Sequence, residues 1–87
     1  MKQFEVVCVR NVMPFSESGR YSSNHPIKDE IYTVYDVALC RKGYAYFLEG
    51  VDTTDEGTVT CWYAHNFVLL DDYLKMVNVD ECNKILV

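Results

Sequence analysis

The stretch from Glu30 to Val51, EIYTVYDVALCRKGYAYFLEGV, decides the fold, because it reads as two β-strands folded back on each other through Arg41-Lys42-Gly43. Its first arm is dense in β-branched and aromatic residues (Ile31, Tyr32, Thr33, Val34, Tyr35, Val37), and its second carries Tyr44, Tyr46 and Phe47. Such side chains suit a pleated, half-buried surface, and the glycine supplies the backbone freedom a tight turn needs. Tyr32 and Val34 share one face of the first arm, while Ile31, Thr33 and Tyr35 share the other, so a period of two fits better than a helical stripe. Asp36 interrupts the inward phase. A bulge near Tyr35-Asp36 would return Val37 or Leu39 to the core.

Other apolar segments have to find places against this hairpin. Phe4 to Arg10, FEVVCVR, is the first strand, and it needs a later partner to satisfy its backbone. From Asn11 to Pro26 the chain turns to Ser, Asn, Gly and Pro, the chemistry of a loop. This connection is longer than a compact domain usually carries, which marks it as functional or mobile. Its large apolar residues, Met13, Phe15 and Tyr21, either pin the loop down or form a binding surface.

Gly50 to Gly57, GVDTTDEG, is a solvated acidic turn without the alternating spacing of a calcium loop. Thr58 to Tyr63, TVTCWY, reads as the fourth strand, with Val59, Cys61 and Tyr63 on one face and Trp62 on the other. Ala64-His65-Asn66 forms a single 3₁₀ turn before a short last strand, Phe67 to Leu70. Five short strands with one long early loop describe a small barrel over residues 1–70. Asp71 is placed to cap a helix, with Tyr73, Leu74 and Val77 on one face, so residues 71–87 form a short helical extension. Ile85-Leu86-Val87 is expected to dock on this chain's own barrel, or on a partner copy to give a homodimer.

Composition limits what the chain does. Eighty-seven residues allow one core, and a hydrophobic content of 49% with seven Tyr, four Phe and one Trp is enough to build it. A net charge of -5 disfavours non-specific nucleic-acid binding through phosphates. Basic residues concentrate in the first half (Lys2, Arg10, Arg20, Lys28, Arg41, Lys42) and acids in the second (Asp52, Asp55, Glu56, Asp71, Asp72, Asp80, Glu81), which suggests two electrostatically different faces. Cys8, Cys40, Cys61 and Cys82 are widely spaced, without a CxxC or zinc-site pattern, and read as free thiols of a reducing cytoplasm. Glu5 and Arg10 interrupt the only apolar run near the N-terminus, so no secretory leader is expected. Apolar runs of about five residues fall far short of a membrane span.

The order strand, long loop, hairpin, turn, strand, one-turn helix, strand resembles an SH3-like barrel. Trp62-Tyr63-Ala64-His65-Asn66-Phe67-Val68 is similar to the SH3 segment in which Pro-x-Asn-Tyr-Val follows an apolar strand, with Asn66 and Val68 matching. Phe67 stands where the family has Tyr, and Ala64 stands where it has Pro. Glu30-Ile31-Tyr32-Thr33-Val34, Tyr44 and Tyr46 after Gly43, and Trp62 to Phe67 also resemble short uncharacterised SH3-like proteins of phages, prophages and Bacteroidetes. What the resemblance implies is the fold, over roughly residues 6–70; fold does not fix function.

No nucleophile, base and carboxylate stand at a characteristic spacing, so neither catalysis, a metal nor a cofactor is expected. The expectation is a protein-interaction module with an unknown partner, using a groove of Phe15, Tyr21, Trp62, His65 and Phe67. A second reading is a small acidic inhibitor or nucleic-acid mimic directed at a basic host enzyme. A third, a nucleic-acid or methylated-residue reader, requires a basic stripe or an aromatic cage.

Overall fold

The computed structural model describes residues 2–16 and 19–77. Strand β1 (Phe4–Cys8) is followed by the long loop, then β2 (Ile31–Cys40) and β3 (Gly43–Leu48) make the expected hairpin. Gly43 takes φ 115° at the turn, a conformation that costs any residue with a Cβ. After the acidic turn come β4 (Trp62–Tyr63), a 3₁₀ turn (Ala64–Asn66) and β5 (Phe67–Leu69). A helix, α1, occupies residues 70–77.

The five strands form one antiparallel sheet in the order β4-β3-β2-β1-β5. β1 sits between β2, from Phe4↔Val34 to Val7↔Ile31, and β5, from Val6↔Leu69 to Cys8↔Phe67. β4 and β5 are the two edges, so among the described residues the sheet is mainly β architecture but is not closed into the barrel that the strand pattern predicts. The 3₁₀ turn connects the two edges, and Val9 N–H donates to Asn66 O at 2.9 Å to tie it to the end of β1.

The β2–β3 register shifts between Val34 and Asp36, where the interrupted alternation predicts a bulge. The extra residue restores the inward phase: Val34 is fully buried, and Val37 packs on the same core. Val6, Cys8, Val34, Leu48, Val51, Trp62 and Phe67 form that core, with Phe4, Val12, Tyr32, Val37 and Tyr46 around it. Phe4 meets Tyr46 edge-on at 5.6 Å, and Tyr46 meets Phe67 at 5.9 Å. Each fully buried aliphatic side chain contributes about 1.5–3 kcal/mol through removal of apolar surface from water.

Two expectations are corrected. The fourth strand is only Trp62–Tyr63, because residues 52–60 are used in a turn closed by Thr60 N–H to Asp52 O at 2.7 Å and a Thr53↔Val59 bridge. The helix starts at residue 70, so Asp71 lies within its first turn instead of capping it. The docking expected of Ile85-Leu86-Val87 lies outside the described residues.

Trp62 is 2% exposed, and its indole N–H donates to Val51 O at 2.7 Å. Trp62→Ala is therefore expected to cost about 3–5 kcal/mol, a large share of the stability of so small a domain, measured by denaturant unfolding.

Candidate functional site

The residues expected to form one groove separate into three places. Trp62 and Phe67 face inward and are 2% and 7% exposed, so both are occupied with packing the core. His65 is exposed on the 3₁₀ turn, where its ring stacks on Tyr63 at 5.7 Å with the planes 17° apart. Phe15 and Tyr21 come together at the loop, bridged through their backbones, with rings 5.7 Å apart and edge to face. Both rings are about half exposed, at 54% and 51%.

This loop is built as a small irregular hairpin. Ser16 N–H donates to Arg20 O (3.0 Å), Gly19 N–H to Ser16 O (2.9 Å) and Ser22 N–H to Pro14 O (2.8 Å). Gly19 takes φ 80°, which permits the reversal. Met13, Phe15 and Tyr21 do not pin the loop; all three are exposed, and Val12, Ser22 and Pro26 provide its inward contacts.

Polar groups fix the loop to the acidic turn. Asp55 Oδ1 accepts from both Ser23 N–H and Ser23 Oγ–H at 2.8 Å, and Asp55 N–H donates to Tyr21 O at 3.3 Å. Arg20 pairs with Glu56, and the Asn24 amide donates to Gly50 O. Ser22, fully buried, lies with Oγ 3.2 Å from Thr53 O and 3.0 Å from Asn24 O, two carbonyls competing for one proton. Buried polar groups have to be paired in this way, since water is not there to solvate them. On the other side of the turn, Tyr35 O–H donates to Asp52, whose Oδ1 lies 3.4 Å from Thr53 Oγ1. The three carboxylates of the turn thus serve as acceptors for this chain's own donors.

Sequence reasoning singled out the loop's aromatics and missed what positions them: Arg20, Ser22, Ser23, Asn24, Asp55 and Glu56. The available signal was chemical complementarity, a donor-rich loop and an acceptor-rich turn. Their partnership spans 26 to 36 residues, beyond the reach of any local pattern. A depression of about 330 Å³ lies elsewhere, bounded by Phe4, Glu5, Leu69, Leu70 and Asp71, and contains none of the expected site residues. No group of three or more His, Cys, Asp or Glu side chains capable of holding a metal ion occurs among the described residues. No helix there is long and apolar enough to cross a membrane.

The chain matches no protein-family model, no curated protein and no solved structure.

Burial, followed by the hydrogen bond and negative charge of Asp52, pushes the Tyr35 phenol up to about 12. The folded chain therefore holds this proton more tightly than the unfolded one, whose phenol titrates near 10.0. The resulting stabilisation is complete below about pH 10 and is lost as pH rises toward about 12. Thermal midpoints should fall across that window. Tyr35→Phe should flatten the fall, leaving the part due to Tyr32, whose phenol burial also raises. The same substitution should cost about 1 kcal/mol at neutral pH through the lost hydrogen bond.

Proposed function

We propose that this chain is a non-catalytic protein-interaction module, with the Phe15–Tyr21 pair of the 11–26 loop as the anchors of its docking surface. The observation that carries this reading is the exposed, edge-to-face Phe15–Tyr21 pair on a backbone held by hydrogen bonds and an ion pair. Large rings contribute contact area with few rotatable bonds, and a loop already fixed loses little conformational freedom when it binds. The expected groove is thereby narrowed to its loop side, since Trp62 and Phe67 are taken up by the core.

An SH3-like barrel is the finer fold reading. Its support is the strand order β5-β1-β2-β3-β4, the long connection between β1 and β2, and the one-turn helix between β4 and β5. Binding is favoured over acidic mimicry by how the turn's carboxylates are used. Asp52, Asp55 and Glu56 are engaged with Tyr35, Ser23 and Arg20, so they do not project as a free acidic array.

The test is affinity capture from a lysate of the source cells, comparing the parent chain with Phe15→Ala/Tyr21→Ala. A partner retained by the parent through a high-salt wash and lost by the double variant is expected, because an apolar contact survives screening. The variant's thermal midpoint should stay within a few degrees of the parent's, since both rings are half exposed. Equal capture by the two chains would reject this surface, and a partner released by salt alone would favour an electrostatic one.

A further inference from the structure

The end of the β2–β3 hairpin has an open side. β1 pairs with β2 only as far as Val34, so from Asp36 to Leu39 β2 has a ladder partner on the β3 side alone among the described residues. Alternate residues of an antiparallel strand point their backbone groups to opposite neighbours. Val37 N–H is bonded by the Asp36 carboxylate of its own chain at 2.8 Å, which places the backbone of Val37, and with it Leu39, on the open side. Leu39 is 74% exposed, and its cross-strand neighbour Tyr44 is 60% exposed on the same face. Two residues back, Val37 and Tyr46 on that face pack against the core.

We propose that this edge pairs with the same edge of a second copy, antiparallel about a two-fold axis at Ala38. In that register Val37 of each copy faces Leu39 of the other, and the outward N–H and C=O groups of both residues are satisfied. The apolar row Tyr44–Leu39 of one copy then continues into Val37–Tyr46 of the other, so the exposed pair on each hairpin becomes part of a four-strand strip. Charge is complementary as well. Asp36 of one copy comes beside the Arg41-Lys42 turn of the other, twice by symmetry, and its carboxylate exchanges the Val37 N–H for these cations. In the single chain the same Asp36 satisfies the edge and blunts it against indiscriminate pairing. The occupant is therefore a second copy in one register, chosen by the acid at one end of the edge and the bases at the other.

The experiment is light scattering coupled to size exclusion, over about a hundredfold range of protein concentration, on the whole chain and on Leu39→Lys. The expected result is a concentration-dependent dimer, with its dissociation constant raised at least about tenfold by Leu39→Lys. Near-ultraviolet dichroism of buried Trp62 checks that the variant is folded, as substitution at so exposed a position should leave it. A second variant, Ala38→Cys with Cys40 and Cys82 replaced by Ser, tests the register. Residue 38 of the two copies would form a non-hydrogen-bonded pair about 4.5 Å apart, within disulfide range, and mild oxidation should give a covalent dimer. A monomer at every concentration would overturn the proposal. Hydrogen exchange at residues 37 and 39 would then show whether the edge is open to water or covered by another part of the same chain. A dimer indifferent to Leu39→Lys, with no crosslink at position 38, would overturn it equally by placing the interface elsewhere.

Discussion

The hydrogen bond from the Trp62 indole to the Val51 carbonyl is the constraint on which the rest of the molecule depends. A buried indole N–H without an acceptor would cost about 1–3 kcal/mol, so the largest side chain of the core settles only where a carbonyl meets it. That carbonyl belongs to Val51, at the start of the acidic turn and three residues past the end of β3. The bond therefore holds together both ends of the 51–62 segment, one at the close of the hairpin and the other at the start of β4. Within the clamp, Thr60 N–H reaches Asp52 O and Thr54 N–H reaches Thr58 O, so the segment is a defined turn. The loop that carries Phe15 and Tyr21 is in turn bonded to it. A core contact thus determines the position of two exposed rings that never touch it.

The bulge between Val34 and Asp36 is a second organising feature. On its N-terminal side β2 pairs with β1, on its C-terminal side with β3, and the two ladders overlap only at Val34 among the described residues. A bulge increases local twist and bends the strand that contains it, which suits a strand passing from one ladder partner to another. The aspartate at this bend accepts from the next residue's N–H, so the same side chain both breaks the apolar alternation and covers an exposed donor.

Elements with strong local signals were legible in the sequence. Glu30 to Val51 alternates clearly enough to reveal the hairpin and its bulge, and Phe4 to Cys8 is a strand inside the longer Phe4–Arg10 run. The 3₁₀ turn at Ala64–Asn66 also stands where its short polar composition places it. The phase of TVTCWY was not legible. Alternation says that Trp62 and its neighbours take opposite faces, but it does not say which face is inside. A two-residue strand contains too little pattern to decide, and Cys61 and Trp62 are both buried because the chain is leaving a turn. The groove expected of Trp62 rests on the interface chemistry of exposed aromatics, a premise that its burial removes. Closure of the sheet was illegible for a related reason: it depends on how far two edges twist toward each other, a property of the whole sheet.

The division of labour around the loop explains how a net-acidic chain holds two exposed aromatic rings beside a cluster of acids. Left unpaired, the carboxylates of residues 52–56 would repel one another and surround the loop with water-ordering charge. Here they accept from Tyr35, Ser23 and Arg20, donors drawn from β2 and from the loop itself. Each bond adds little on its own, particularly the exposed Arg20–Glu56 pair, whose contribution salt would screen. The Ser23 and Arg20 bonds together tie the described part of the long connection to the turn, where it would otherwise sample many conformations. A ring on an unrestrained loop must surrender that freedom on binding, whereas the Phe15 and Tyr21 rings are already positioned by the bonds behind them. The acids at residues 55 and 56 thereby anchor, through Ser23 and Arg20, the backbone next to the exposed aromatic pair.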